Sequence, residues 1–363
     1  MNVTRREFGW LAGAAALGGM LPYGEAEPGG RRIGWCIVGL GRISMDHFMP
    51  AVKQGTTGRI VALVSGHRPK AEQQAKMYGV ADSAIYSYED YDRIREDKNI
   101  DAVYIALPNS MHAEYTIRAA KAGKHVLCEK PMATSVADSE AMIEACRAAG
   151  KKLMIAYRCQ YEPVNLKAIE LIRSGQIGTV QAIESANGFN ISPGEWRLDR
   201  KLSGGGPLMD VGIYSLNACR YLTGEEPRDI HANSSVIDQD GRFKEVEENI
   251  GWTMKFPSGV VASCSTSYGA DMNGFYRVHG SKGMIELSPA FGYQGIHMKA
   301  ELDDRPGIDM PTPEHGPEQF TVEADYFANC IWNDKEPKSD GQEGLRDMEL
   351  MSEIYKSAGL PGL

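Results

Sequence analysis

Two glycines separated by one residue are the first feature of this sequence that could do chemistry. Gly39 and Gly41 follow the apolar run 35–38 and precede a helical stretch at 45–53. Glycines between a strand and a helix allow a tight turn and let backbone amides approach a pyrophosphate at the start of the helix. Ser44 stands where Gly or Ala is usual, so it is the context that predicts a dinucleotide site. A merely structural turn is the alternative.

The turn after the second apolar run, 60–64, carries no acidic residue. An Asp or Glu about 20 residues past the glycines normally holds the ribose hydroxyls of NAD. Ser65, Arg68 and Lys70 offer a hydroxyl and two cations instead, which suits the 2′-phosphate of NADP. The sequence therefore predicts NADP as the cofactor, with a solvated basic turn as the alternative.

Three further polar residues could carry out acid–base chemistry. Lys130 follows the apolar run 125–128, and a lysine at the carboxyl end of a parallel strand lies where ligands bind. Its ammonium could stabilise an alkoxide as hydride leaves. Asp210 and Tyr214, four apart in the predicted helix 208–222, present a carboxylate and a phenol on one face. Because a nearby ammonium favours the phenolate form of a tyrosine, the three are predicted to act together.

Strand-like and helical stretches alternate from residue 33 to about residue 156. The strand-like runs are 35–38, 60–64, 102–107 and 125–128, and the helical stretches are 45–53, 70–78, 112–122 and 136–149. Continuous apolar runs are typical of strands covered on both faces, and the alternation indicates a parallel sheet. We expect an α/β Rossmann domain at 31–156.

Beyond about residue 160 the pattern changes to strands joined by hairpins. The strand-like stretches are 180–187, 230–237, 249–256, 260–268, 275–279 and 284–287. Short turns at 257–259 and 280–283 indicate an antiparallel sheet, and the Pro- and Gly-rich stretch 300–318 is predicted to be a loop before a last pair of helices. The sequence thus predicts an α+β domain at 157–363 with an open, mostly antiparallel sheet. Its C-terminal helices can pack back on the first domain.

Composition limits the class of protein. The 363 residues are long enough for two domains, and a net charge of −9 argues against a nucleic-acid partner. The 7 cysteines form neither a CxxC pair nor a Cys/His cluster, so we expect buried thiols, no metal site and no disulfide framework. Three glycines at 204–206 form either a flexible turn or a close approach to a ligand.

The first 26 residues differ from the rest of the chain. Arg5 and Arg6 precede an alanine- and glycine-rich apolar run at 10–20, and small residues follow at 24–26. This pattern resembles a twin-arginine export signal. A buried helix or a membrane anchor is the alternative, but the run is shorter than the roughly 20 residues that a spanning helix needs. We expect a periplasmic protein that acquires its cofactor before export and is not membrane-bound after removal of the signal.

Taken together, the motifs resemble the Gfo/Idh/MocA oxidoreductase family. The likeness runs from about residue 34 to residue 357 and is carried by Gly39-Leu40-Gly41, Leu107-Pro108-Asn109 with His112, Glu129-Lys130-Pro131, and Gly205-Gly206 followed by Asp210 and Tyr214. It implies catalysis by Lys130 and Asp210, with Tyr214 as acid/base where many relatives have histidine. It implies a cofactor site formed by Gly39, Gly41, Arg42, Ile43, Ser65, Gly66, Arg68, Lys70, Leu107, Pro108, Asn109, His112, Glu129, Lys130 and Arg158. It also implies a sugar site formed by Tyr157, Arg158, Tyr161, Trp196, Arg197, Asp210 and Tyr214.

The function that this resemblance implies is oxidation of an aldose to its lactone, with the hydride passed to a second sugar on the same tightly bound NADP. Two other enzymes remain open: a sugar dehydrogenase or reductase that exchanges NADP freely, and an NAD-dependent glycosidase. A non-catalytic sugar or redox sensor is disfavoured because the catalytic group is complete. We expect a homodimer or homotetramer assembled through the sheet domain. The segment ahead of the first strand is too short for the N-terminal arm with which some relatives trap their cofactor.

Overall fold

The computed structural model describes residues 30–314 and 318–363. The predicted export signal at 1–26 lies outside the described residues. Two sheets organise the described chain, and they confirm the predicted fold class: a Rossmann-type parallel sheet with helices, followed by an α+β unit built on a mostly antiparallel sheet.

The first sheet has six parallel strands in the order β3-β2-β1-β4-β5-β6. These strands are Ile33–Val38 (β1), Gly58–Val64 (β2), Ile85–Tyr86 (β3), Ala102–Ile105 (β4), His125–Glu129 (β5) and Leu153–Ala156 (β6). The strand order reverses between β1 and β4, which pair directly, and ligands of such sheets bind beyond the carboxyl ends of the strands at this point. The sequence analysis named neither β3 nor β6, and β3 has only two residues, too few to reveal a period.

Helices cover both faces of this sheet, so β1, β4 and β6 are buried along their whole lengths. The helices are a π-helical segment Ile43–Phe48 that continues into Met49–Gln54 (α1), then Arg68–Tyr78 (α2), His112–Lys121 (α3) and Val136–Ala148 (α4). Ser135 caps α4, since its Oγ accepts a hydrogen bond of 3.1 Å from the Asp138 N–H.

The second sheet has eight strands in the order β14-β13-β12-β11-β7-β10-β9-β8. They are Val180–Gly188 (β7), Asp229–Ser235 (β8), Asn249–Lys255 (β9), Val261–Ser267 (β10), Met272–Gly280 (β11), Gly283–Leu287 (β12), His297–Leu302 (β13) and Ile308–Pro311 (β14). Within this sheet the β7–β10 pair is parallel and the other pairs are antiparallel. The predicted hairpins join β9 to β10 and β11 to β12.

The prediction of a continuous loop at 300–318 is wrong in its first half. β13 and β14 pair antiparallel and form one edge of the second sheet. Along β13, buried residues alternate with polar residues such as Lys299 and Glu301, so the pattern is that of a strand with one wet face. β14 contains Asp309 and ends at Pro311, residue types that edge strands tolerate and central strands do not.

The remaining helices connect and cover the two sheets. They are Pro163–Arg173 (α5), Arg200–Ser203 (α6), a π-helical segment Leu208–Gly212 that continues into Ile213–Thr223 (α7), Gln319–Trp332 (α8) and Gly341–Ser357 (α9). α7 packs on the second sheet, where Ser215 Oγ lies 2.7 Å from Ser185 Oγ. α8 lies against α1, and Thr321 Oγ1 donates a hydrogen bond of 3.3 Å to the Ala51 carbonyl.

Two further observations concern the described residues as a set. None of their helices is long and apolar enough to cross a membrane. All the cysteines are buried free thiols, as the sequence predicts, and within residues 30–314 and 318–363 no group of three or more His, Cys, Asp or Glu is arranged to hold a metal ion.

Candidate active site

The glycine turn after β1 has the geometry of a dinucleotide-binding turn. Gly39 has φ 95°, and a Cβ there would lie 2.4 Å from the Ala106 carbonyl oxygen, so any side chain would clash. A Cβ at Gly41 would meet nothing within 4 Å, which leaves the backbone open to a ligand. The buried Ser44 donates a hydrogen bond of 2.7 Å to the Gly39 carbonyl. The departure from Gly or Ala at this position thus braces the turn.

Two of the three predicted phosphate-binding residues lie beside the glycine turn or at the end of the neighbouring strand. Lys70 Nζ donates a hydrogen bond of 3.3 Å to the Leu40 carbonyl, and Ser65 directly follows β2. Arg68 instead forms an ion pair of 2.9 Å with Glu72 on its own helix. The open backbone at the glycine turn and the adjacent lysine fit a dinucleotide phosphate.

The other predicted cofactor residues follow the carboxyl ends of the first-sheet strands. Among them are Arg42, Ile43, Gly66, Leu107 and Pro108. The buried His112 holds two strand ends together, because its ring nitrogens lie 2.9 Å from the Leu107 and Pro131 carbonyls. Asn109 Nδ2 donates a hydrogen bond of 2.8 Å to the Ser203 carbonyl, which ties the first domain to the second. The side chains of His112 and Asn109 are thus engaged with the protein itself.

Glu129, the last residue of β5, is also held by protein groups. The Tyr104 hydroxyl donates a hydrogen bond of 2.6 Å to Glu129 Oε1, and the Lys130 N–H donates one of 3.2 Å to Oε2. Burial raises the pKa of the Glu129 carboxyl above its usual value. These contacts fix the backbone immediately before Lys130.

Lys130, Asp210 and Tyr214 come together where the first sheet meets α7. Lys130 Nζ donates a hydrogen bond of 2.7 Å to the Asp210 carbonyl and lies 3.5 Å from Asp210 Oδ1. The same ammonium lies 4.6 Å from the centroid of the Tyr214 ring. Asp210 Oδ2 is 2.9 Å from Arg197 Nε, and Tyr268 donates a hydrogen bond of 2.9 Å to it. The Asp210 carboxylate thus contacts the Lys130 ammonium, the Arg197 guanidinium and the Tyr268 phenol.

Burial and charge act differently on the two acid–base groups of this helix. Burial alone would raise the pKa of Asp210, but Arg197 and Lys130 outweigh it, so the pKa is lowered and the carboxylate is ionised at neutral pH. Burial raises the pKa of Tyr214 above its usual value, and Arg158 offsets this only in part. Burial thus dominates over the effect that we expected from the neighbouring ammonium, and Tyr214 is a protonated phenol at neutral pH.

Three more residues of the predicted sugar site border this cluster. The Arg158 guanidinium lies 4.9 Å from the centroid of the Tyr214 ring. Arg197 contacts Asp210, and its guanidinium also lies 4.8 Å from the ring of the partly exposed Trp196. An aromatic face and guanidinium donors thus stand beside the acid–base groups, as binding of a polyol would require.

Two tyrosines of the predicted sugar site point elsewhere. Tyr157 and Tyr161 are buried on the side of the C-terminal helices and their connection. The Tyr161 hydroxyl lies 2.8 Å from Ser339 Oγ, and the Tyr157 side chain lies near Asp347 of α9. The structure does not bring either hydroxyl to Asp210.

A buried carboxylate that the sequence analysis missed supports the helix of Asp210. Glu247 accepts hydrogen bonds from the Gly206 N–H at 3.0 Å, the Leu208 N–H at 3.3 Å and the Tyr355 hydroxyl at 2.9 Å. A Cβ at Gly205 would lie 2.2 Å from the Tyr355 hydroxyl oxygen. The glycines at 205 and 206 therefore permit a close approach to protein groups. No local signal pointed to Glu247, since it lies about 40 residues from the helix that it caps.

The fold and the site together define an oxidoreductase with an NAD(P)-binding Rossmann domain and a second domain that completes the active site. The chain belongs to the GFO/IDH/MocA family. Residues 33–157 match the family described as "Oxidoreductase family, NAD-binding Rossmann fold", and residues 165–286 match the "GFO/IDH/MocA C-terminal domain".

Relatives of known structure or activity cover nearly the whole chain. An aldose-aldose oxidoreductase from Caulobacter crescentus, solved with glycerol, is 45% identical with a TM-score of 0.87, over 91% of this chain and 98% of that one. A D-xylose 1-dehydrogenase [NADP(+)] from Haloarcula marismortui is 33% identical over 330 residues, which are 89% of this chain and 90% of the relative. A levoglucosan dehydrogenase, at 22% identity and a TM-score of 0.80 over 91% of this chain and 98% of that one, shares the fold.

Proposed function

We propose that this protein is an NADP-dependent sugar oxidoreductase that oxidises an aldose to its lactone and returns the hydride to a second sugar on the same bound cofactor. The observation that carries the proposal is the cluster of Lys130, Asp210 and Tyr214 at the ligand-binding edge of the first sheet. The similarity to an aldose-aldose oxidoreductase at 45% identity supports the substrate class and the two-sugar reaction.

NADP is the cofactor that the turn residues favour. The backbone at Gly41 would face the pyrophosphate, and Ser65 and Lys70 would hold the 2′-phosphate, with no acidic side chain directly after β2 to repel it. The relative from Haloarcula marismortui bears NADP(+) in its name, which agrees with this choice. When bound, the nicotinamide would accept hydride in one half-reaction and give it back in the other.

The residues of the cluster have separate tasks in each half-reaction. When an aldose is oxidised, hydride leaves its C1, the C1 hydroxyl loses a proton to the ionised fraction of Tyr214, and the carbonyl of a lactone forms. When the second sugar is reduced, the Tyr214 phenol returns a proton to the new alkoxide oxygen. Lys130 stabilises negative charge on that oxygen, and the ionised Asp210 holds the Lys130 ammonium in place.

Location and cofactor retention are linked in this proposal. The twin-arginine pattern supports export to the periplasm, where no soluble NADP pool exists for exchange. Such an enzyme has to carry its cofactor and recycle it, which requires an affinity in the nanomolar range, about −12 kcal/mol. We propose assembly of a homodimer or homotetramer through the second sheet.

The test is to purify the protein without added nucleotide and to measure nicotinamide absorbance after denaturation. Stoichiometric NADP, together with ping-pong kinetics when an aldose and a second sugar are supplied, is the expected result. An empty protein that turns over only with NADP added continuously would replace the proposal by a free-cofactor dehydrogenase, which the 33% identity to a xylose dehydrogenase favours as second candidate. Release of nitrophenol from nitrophenyl glycosides would instead indicate a glycosidase.

A further inference from the structure

The loop that joins β12 to β13 is fixed by a side chain of the active site. Arg158, besides lying over the Tyr214 ring, donates hydrogen bonds of 2.6 Å to the Phe291 carbonyl and 3.0 Å to the Gly292 carbonyl. Gln319, the first residue of α8, donates one of 2.9 Å to the Tyr293 carbonyl. Three backbone carbonyls in succession are thus held, which gives this surface loop a defined path.

At the tip of the loop, one aromatic ring reaches across to the first domain. Tyr293 stacks on His47 with ring centroids 4.1 Å apart and an interplanar angle of 27°. His47 belongs to the π-helical segment that directly follows the glycine turn. On the other side, the Arg158 guanidinium lies 4.5 Å from the Tyr293 ring and 4.9 Å from the Tyr214 ring. A continuous stack therefore joins the helix of the glycine turn to the helix of Tyr214.

The exposure of Tyr293 indicates that the contact does more than fill the core. Tyr293 is 44% exposed, yet its backbone carbonyl is held by Gln319 and its ring is held by His47 and Arg158. Residues predicted to bind NADP lie on both sides of this stack: Gly39 and Gly41 directly precede the segment of His47, and Arg158 lies against the opposite side of Tyr293.

We propose that Tyr293 and His47 form a clasp that slows release of NADP. The inference rests on the proposed function, since an enzyme that recycles its own bound cofactor needs slow release of that cofactor. A stack of two rings across the domain junction has to separate before a dinucleotide bound at both elements can leave.

The experiment is a chase on protein loaded with NADPH, in which excess NADP is added and the loss of bound-NADPH fluorescence gives the dissociation rate. Tyr293→Ala is expected to release NADPH about tenfold faster, which corresponds to about 1.4 kcal/mol. Tyr293→Phe is the matched control: it keeps the ring and is expected to release NADPH at the wild-type rate. His47→Ala should match Tyr293→Ala, and the double variant should be no faster than either single variant, because both remove the same contact.

Equal release rates in Tyr293→Ala and the wild type would overturn the clasp, as would effects of the two alanine variants that simply multiply. If one alanine variant fails to fold, as judged by its melting temperature, the other still decides the question. The wild-type rate tests the proposed function separately. Release faster than turnover would refute the retained cofactor, while the ratio between variant and wild type would still measure the clasp.

Discussion

Replacement of Tyr214 by phenylalanine isolates the chemical task of its hydroxyl. The Tyr214 ring stacks on Phe291 with centroids 5.7 Å apart, and the Lys130 and Arg158 cations lie 4.6 and 4.9 Å from its centroid. Phenylalanine preserves all three contacts, so the site keeps its shape and loses only the proton-transfer group. We expect turnover to fall at least about a hundredfold, equivalent to about 2.7 kcal/mol in the barrier, with NADP affinity nearly unchanged.

The assay is the turnover number for an aldose, followed through nicotinamide absorbance, with NADPH affinity measured by fluorescence titration. Tyr221→Phe is the matched control, because it makes the same change on the same helix away from the cluster. It removes one hydrogen bond of 3.1 Å to Asn165 and should cost about 1 kcal/mol of stability but leave turnover within a few fold. Turnover of Tyr214→Phe close to that of the wild type would remove this residue from the mechanism.

The pH dependence provides a second readout of the same residue. Since burial raises the pKa of Tyr214 above its usual value near 10, the phenol is protonated across the neutral range and only a small fraction is a base. Oxidation of an aldose, which needs the base, should therefore speed up with rising pH, by about tenfold per unit while chemistry limits the rate. Reduction, which needs the acid, should stay flat over that range. An oxidation rate independent of pH from 6 to 9 would contradict the assignment.

Three further predictions concern other parts of the site. Lys130→Met should lower turnover at least about a hundredfold with cofactor affinity nearly intact, as measured by the same absorbance and fluorescence assays. Ser65→Asp should shift the ratio of NADP to NAD affinity towards NAD, because a carboxylate repels the 2′-phosphate and accepts bonds from a free ribose; unchanged affinities for both would refute the role of this turn. Glu247→Gln should lower both melting temperature and turnover, since the Gly206 N–H loses its acceptor at a cost of about 1–3 kcal/mol, whereas the exposed Glu245→Gln should change neither.

Local features of the sequence determined the elements and the positions of the chemical groups along them. Apolar runs and hairpin turns are read within a few residues, so the parallel and antiparallel sheets followed from them. Gly39 and Lys130 were recognised because each follows the carboxyl end of a strand, and such ends converge at one edge of a parallel sheet. Asp210 and Tyr214 were recognised because residues four apart share a helix face. The local pattern was too weak to predict β3, which has only two residues, or β14, which lies at the edge of the second sheet.

The tertiary structure alone decided which side chains face the site. Tyr157 and Tyr161 follow β6 at the same sheet edge as the site, yet they pack towards the C-terminal helices, while Tyr268 comes from the end of β10 to contact Asp210. The supports of Asp210 likewise come from afar, since Glu247 is brought to its helix by the second sheet. The charge state of Tyr214 depends on its burial, which no neighbour in sequence sets. Side-chain direction, burial and long-range partners arise from packing between distant segments, and a one-dimensional pattern does not encode which segments meet.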